Sequence, residues 1–107
     1  MVFEGAGLRV LAETGDGTSA VPLVADRRPD VVVVDLALPG TEGPELVGLL
    51  RMRHPDIGIV VFSGSVEPGI EERVIELGAD RFVAKGTPLD ELAAVVREVA
   101  ARHTPRP

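Results

Sequence analysis

Residues 31–40 read Val-Val-Val-Val-Asp-Leu-Ala-Leu-Pro-Gly and place a carboxylate, Asp35, directly after a run of four valines. A short β-branched run that does not alternate with polar residues is typical of a strand buried on both faces of a sheet. Two later apolar runs end in the same way, one at Ser63 and one at Lys85. Lys85 is the only lysine in the chain, since the ten other cations are arginines. The sequence therefore predicts a carboxylate, a hydroxyl and an amine at three successive strand ends.

Short apolar runs and helical patterns alternate along the whole chain. The predicted strands cover residues 8–13, 31–35, 59–63 and 82–85. The predicted helices begin near Thr18, Pro44, Pro68 and Pro88, and the third ends at Gly78. The spacing of the strands is close to the ~30 residues of a strand-helix-strand unit. This order of elements predicts an α/β fold with a parallel sheet.

Length and composition exclude several classes of protein. A chain of 107 residues has room for one domain, which we expect over residues 1–107 with its core at 8–100 and a tail or the start of a linker at 101–107. The net charge of −6 argues against direct nucleic-acid binding, because phosphate contacts need clustered lysine and arginine. No segment approaches the ~20 apolar residues of a membrane span, and no targeting signal precedes the fold, so the expected location is cytoplasmic.

The three strand ends define a candidate site. In open parallel sheets, ligands bind and functional residues lie outside the carboxyl ends of the strands. A carboxylate nucleophile, an ammonium that pairs with an anion and a hydroxyl that donates to it are what transient phosphorylation of Asp35 would use. Simpler interpretations also exist: Asp35 and Ser63 as turn residues, and Lys85 as an ion-pair partner of Asp35 with no ligand between them. The two histidines, His54 and His103, are assigned to neither metal binding nor catalysis.

Taken together, these segments resemble the receiver domain of two-component response regulators. The matching segments, in order and at the family's spacing, are residues 15–17, 28–43, 54–56, 60–64 and 78–85. The likeness runs from residue 2 to about residue 100. It implies a flavodoxin-like receiver fold and a signalling module instead of an enzyme, with a sensor histidine kinase or a phosphotransfer protein as partner. Residues 78–82, and the lack of a proline after Lys85, resemble receivers attached to helix-turn-helix output domains.

The resemblance also implies roles for individual residues. Asp35 would be the phosphoacceptor, and Ser63 the switch hydroxyl that follows the phosphoryl group. Lys85 would be the ion-pair partner, and Phe82 the ring coupled to the switch. In the family, Mg2+ is held by the phosphoacceptor, by the backbone carbonyl two residues beyond it, here Ala37, and by an acidic pair at the end of the first strand.

The start of the chain departs from the family pattern. Residues 1–7 are interpreted as the last turn of the family's first helix, so the first strand and its acidic pair are missing. Mg2+ binding should then be weak or absent, with Glu42 and Glu67 as the nearest acidic substitutes in sequence. Without a first strand, the strand at residues 8–13 should pair directly with 31–35 in a parallel sheet of four strands. Three crossover helices should lie on one face and the C-terminal helix on the other. The face of the C-terminal helix would then be poorly covered, which predicts a chain that forms a homodimer, borrows a partner segment or is marginally stable alone.

Three functions remain open from the sequence. The first is a phosphoacceptor receiver in a signalling relay. The second is a degenerate receiver that acts as a phosphorylation-independent binding or dimerisation module. The third is a small hydrolase with an aspartate nucleophile, which is disfavoured because no second carboxylate is available as general acid or base. An in-frame strand ending in acidic residues upstream of Met1 would restore the ordinary receiver.

Overall fold

The structure, a computed structural model, describes residues 2–5, 8–13, 20–36, 43–64 and 67–103. Five strands and four helices lie in these ranges. The strands are β1 (Val2–Gly5), β2 (Leu8–Glu13), β3 (Val31–Val34), β4 (Gly58–Ser63) and β5 (Arg81–Ala84). The helices are α1 (Ala20–Arg27), α2 (Gly43–Arg53), α3 (Ile70–Leu77) and α4 (Leu89–His103). None of the described helices is long and apolar enough to cross a bilayer.

The five strands form one sheet in sequential order, β1-β2-β3-β4-β5. Strands β2 to β5 are parallel, with Val10 opposite Val31 and Val31 opposite Gly58. The expected parallel sheet of four strands is therefore confirmed, including the direct pairing of β2 with β3. This order differs from that of a complete receiver, in which the first strand lies between the second and the third.

The interpretation of residues 1–7 as the last turn of a helix was wrong. Residues Val2–Gly5 form strand β1, which pairs antiparallel with β2 at the edge of the sheet. Only two residues separate β1 from β2, and a connection that short can join two strands only as antiparallel neighbours. Val2 and Phe3 are also residues that favour extended backbone. The sheet thus has a fifth strand that the sequence pattern did not predict.

The valine-rich strands are buried on both faces by different sets of helices. On one face, α1, α2 and α3 bury the even-numbered positions of β3 and the odd-numbered positions of β4. This first cluster contains Val24, Val32, Val34, Leu46, Val47, Leu50, Ile59, Val61, Val74 and Ala79. On the opposite face, α4 is the only described helix, and its Val96, Val99 and Ala100 form the smaller second cluster with Val31, Val60 and Val83. The expected division of three helices against one is confirmed.

Helix ends follow the glycine and proline signals with small differences. Gly78 has φ 122° and ends α3, where its N–H donates to the carbonyl of Ile75 at 3.1 Å. Helix α3 begins at Ile70, two residues after Pro68, because Gly69 between them has φ 82° and cannot be helical. Helix α4 begins as expected, with the N–H of Leu92 bonded to the carbonyl of Pro88, and continues to His103.

Candidate functional site

Asp35, Ser63 and Lys85 lie together at the carboxyl edge of the sheet. Asp35 directly follows β3, Ser63 is the last residue of β4, and Lys85 directly follows β5. These strands are neighbours in the order β3-β4-β5, so their ends meet along one edge. The prediction that three successive strand ends bring these residues into one place is confirmed.

Lys85 joins the other two residues through two contacts. Its Nζ donates to Oδ2 of Asp35 at 2.6 Å, and its backbone N–H donates to the carbonyl of Ser63 at 2.9 Å. The Asp35 side chain is 28% exposed and the Lys85 side chain 44% exposed, whereas Ser63 is only 3% exposed. The carboxylate is therefore reachable from solvent, while the serine is held within the fold beside it.

The turn after β5 keeps Lys85 at this edge. Gly86 has φ 99°, a conformation that glycine adopts without strain. The N–H of Thr87 donates to the carbonyl of Ala84 at 3.2 Å and closes the turn. Because the chain reverses immediately after Lys85, the lysine side chain remains beside Asp35 as α4 begins.

Phe82 lies on the same face of the sheet as the first cluster. It is opposite Val61 in the register of β4 and β5, and it packs half-buried against that cluster. Val61 precedes Ser63 by two residues, and side chains two apart on a strand share a face. The Phe82 ring therefore lies on the face covered by α1 to α3, opposite the residue two positions before Ser63.

The expected metal ligands are only partly within the described residues. Ala37 and Glu42 lie outside them. Glu67 is exposed in the connection between β4 and α3. The described residues contain no group of three or more His, Cys, Asp or Glu that could hold a metal ion.

Glu13 is an acidic residue at this edge that the sequence analysis missed. It is the last residue of β2 and is opposite Val34, the residue before Asp35. The signal was present in the sequence as an acidic residue ending an apolar run. Its importance depends on the sheet order, because β2 lies beside β3 only when no other strand lies between them.

Neither histidine belongs to the carboxyl edge. His54 lies at the end of α2, beside a surface cavity lined by Val21, Pro22, Ala25 and Arg53. His103 lies at the end of α4, where its Nε2 is 2.8 Å from Oδ1 of Asp80.

The arrangement of Asp35, Ser63 and Lys85 suits a reaction in which an anionic group becomes covalently attached to the Asp35 carboxylate. An ion pair between exposed side chains contributes only about 0–1 kcal/mol to stability, so Lys85 can change partner at little cost. The ammonium and the neighbouring hydroxyl would then neutralise and hydrogen-bond the added oxygens.

Comparison with known proteins agrees with this geometry. Residues 1–97 match the model of the response regulator receiver domain. The chain is 32% identical over 101 residues to the response regulator GacA of Pseudomonas aeruginosa, covering 94% of this chain and 47% of that protein. It is 36% identical over 92 residues to the response regulator MprA of a Mycobacterium species, covering 84% of this chain and 39% of that protein. The chain thus spans about half the length of GacA and less than half the length of MprA.

Solved structures show the same similarity. A LuxR-family two-component response regulator from Aurantimonas sp. SI85-9A1 superposes with a TM-score of 0.79 at 30% identity, over 91% of this chain and 69% of that one. The signal receiver domain of the putative response regulator NarL from Mycobacterium tuberculosis gives 0.74 at 27% identity, over 80% and 69%. This protein therefore belongs to the response regulator receiver domain family of two-component signalling.

Proposed function

We propose that Asp35 accepts a phosphoryl group from a phosphohistidine of a sensor kinase or a phosphotransfer protein. The observation that carries this proposal is the contact of 2.6 Å between Lys85 Nζ and Asp35 Oδ2, beside buried Ser63 at the carboxyl edge. In the proposed step, an Asp35 carboxylate oxygen forms the new P–O bond while the P–N bond of the phosphohistidine breaks. The departing imidazole takes up a proton.

The neighbouring residues have defined roles in this proposal. Once the phosphoryl group is attached, Lys85 Nζ donates to one of its oxygens instead of to Asp35 Oδ2. The Ser63 hydroxyl donates a hydrogen bond to another oxygen of the phosphoryl group. Movement of Ser63 toward the phosphoryl group leaves space on the face where Phe82 packs. The half-buried Phe82 ring fills that space in the phosphorylated state. Differential contacts of this kind are what allow phosphorylation to shift an equilibrium between two conformations.

Receiver domains generally bind Mg2+ at the site of phosphorylation. The exposed carboxylate of Asp35 suits such an ion, because Mg2+ in phosphoryl-transfer sites is held by one or two carboxylates together with phosphate oxygens and waters. We propose Asp35 and the Ala37 carbonyl as ligands, and Glu13, which ends the neighbouring strand β2, as the position to test for a substitute of the family's acidic pair. Mg2+, when bound, neutralises charge on the transferred group. With one such acidic residue in place of two, binding should be weaker than in a complete receiver.

The test is modification by acetyl phosphate with Mg2+, followed by intact-protein mass spectrometry. We expect one added phosphoryl group in the wild-type protein and none in Asp35→Asn. The matched control is Asp56→Asn, which removes an exposed aspartate from the connection between α2 and β4 and should leave modification unchanged. An adduct that persists in Asp35→Asn would contradict the assignment.

The second candidate function is a phosphorylation-independent binding or dimerisation module. It is favoured by one observation, the lack of a group of three acidic or other metal-binding side chains among the described residues. A folded wild-type protein that takes up no phosphoryl group, even with excess donor and Mg2+, would support this function over the first.

A further inference from the structure

The amino edge of the sheet, opposite Asp35, contains a second carboxylate with partners on both oxygens. Asp80 directly precedes β5 and is half-buried, with its side chain 17% exposed. Its Oδ2 accepts from the backbone N–H of Ile59 at 2.8 Å and from Arg51 at 3.0 Å. Its Oδ1 is 2.8 Å from Nε2 of His103. Asp80 therefore links α2, β4 and the last residue of α4.

Arg51 holds Asp80 in this position independently of His103. Its Nε donates to the carbonyl of Gly78 at 3.0 Å, and its Nη1 donates to the carbonyl of Ile57 at 2.7 Å. A Cβ on Gly78 would lie 2.5 Å from Cγ of Arg51, so the glycine lets the arginine pass close to the end of α3. The Asp80 carboxylate is thus held by α2 and β4, whether or not His103 of α4 also contacts it.

His103 links the last turn of α4 to this network through its ring nitrogen. With Asp80 ionised, Nε2 of His103 is the donor, and the imidazole can donate whether neutral or protonated. The side chain is only 21% exposed. The neighbouring cation, Arg102, points elsewhere: it pairs with Glu98 one turn earlier on the same helix, at 2.6 Å and 54% exposed.

We propose that His103 is an anchoring residue, whose bond to Asp80 holds the last turn of α4 on the amino edge of the sheet. Helix α4 begins beside Lys85 at one edge and ends at His103 at the other, so this bond fixes the far end of an element that spans the sheet. The proposal does not depend on any chemistry at Asp35.

Arg102 provides a matched control for His103. Both residues are basic and lie in the last turn of α4, so alanine at either position removes one cation or potential cation from the helix C-terminus. Only His103→Ala also removes a direct bond to another element, because Glu98, the partner of Arg102, lies on α4 and keeps its own ion pair with Arg81 of β5. A difference between the two variants therefore measures the anchor and not the helix dipole.

The experiment is amide hydrogen exchange by NMR at pH 7 on the full chain. In His103→Ala, we expect the amides of residues 100–103 to exchange about tenfold faster, the effect of losing a hydrogen bond to a charged group. In Arg102→Ala, the same amides should change less than about twofold. The Ile59 amide should keep its protection in both variants, because Arg51 still holds Asp80. His103→Gln, which keeps a donor, should fall between wild type and His103→Ala.

Two results would overturn the proposal. One is an equal acceleration in His103→Ala and Arg102→Ala, which would mean that His103 acts only as a helix-terminal cation. The other is an acceleration in His103→Ala that is equal in α2 and α4, or loss of the folded state, which would make the residue a general determinant of stability and not a local anchor.

Discussion

At the scale of single residues, two aspartates at opposite edges of the sheet have different environments. Asp35 follows β3, is partly exposed and pairs with a lysine that is itself 44% exposed. Asp80 precedes β5 and has its oxygens occupied by Ile59, Arg51 and His103. Because its lysine partner is exposed and can be exchanged, Asp35 is able to react with a ligand. Asp80 is enclosed by fixed hydrogen-bond donors and therefore acts as a structural link between elements.

Glu13 is the acidic residue that ends the strand next to β3. If Glu13 takes the place of the acidic pair, Glu13→Gln should weaken Mg2+ binding at Asp35 by about tenfold or more, since a neutral amide is a poorer Mg2+ partner than a carboxylate. Mg2+ titration followed by the NMR shifts of Asp35 and Ala37 measures this change. Glu67→Gln is the control and should leave the affinity unchanged. A loss of affinity in Glu67→Gln with none in Glu13→Gln would reverse the assignment.

At the scale of elements, glycines set how closely helices approach their neighbours. A Cβ on Gly58, the first residue of β4, would lie 2.5 Å from Cγ1 of Val99 and 3.2 Å from Cγ2 of Val31. Glycine at this position is therefore what allows α4 to lie close to the sheet. A Cβ on Gly48 of α2 would lie 3.5 Å from Cδ2 of Leu77, an ordinary contact distance.

These two glycines predict opposite effects of alanine on stability. Gly58→Ala should lower the free energy of unfolding by about 1–3 kcal/mol through overpacking against Val99. Gly48→Ala should raise it by about 0.5–1 kcal/mol, because alanine in a helix loses less backbone entropy on folding. Urea denaturation followed by circular dichroism measures both, since the chain has neither Trp nor Tyr. Equal stability of the Gly58→Ala variant and wild type would show that α4 moves to accommodate the methyl group.

At the scale of the whole molecule, the two faces of the sheet are covered unequally. Three helices bury the larger cluster, and α4 is the only described helix that covers the smaller one. Partly buried apolar side chains border both clusters, and on the α4 face they are Val33, Phe62, Leu92 and Val95. Parallel strands rich in valine are ordinarily buried on both faces, so this side is the weaker half of the fold.

We accordingly expect the protein to self-associate through the α4 side, or else to have a free energy of unfolding at or below the usual lower limit of about 5 kcal/mol. Sedimentation equilibrium over a range of concentrations, combined with urea denaturation, distinguishes these outcomes. A cooperative monomer of ordinary stability at high concentration would contradict both.

Much of the fold and the site follows from the local pattern of residues. The runs at 8–13 and 31–34 are strands because β-branched and aliphatic residues without alternation favour buried parallel strands, and the right-handed crossover then places three helices on one face. The same pattern predicts that Asp35, Ser63 and Lys85 lie at one edge of the sheet, because the ends of neighbouring parallel strands meet there.

The tertiary structure alone decided three further features: strand β1, the position of Glu13 and the network of Asp80 with His103. Residues 2–5 are too few to show a period, so their conformation depends on the strand beside them. Glu13 gains its position only from the pairing of β2 with β3. Asp80 and His103 are 23 residues apart, and only the packing of α4 across the sheet brings them to 2.8 Å. Local sequence determines how each segment folds, whereas contacts between distant segments depend on how all of the segments pack together.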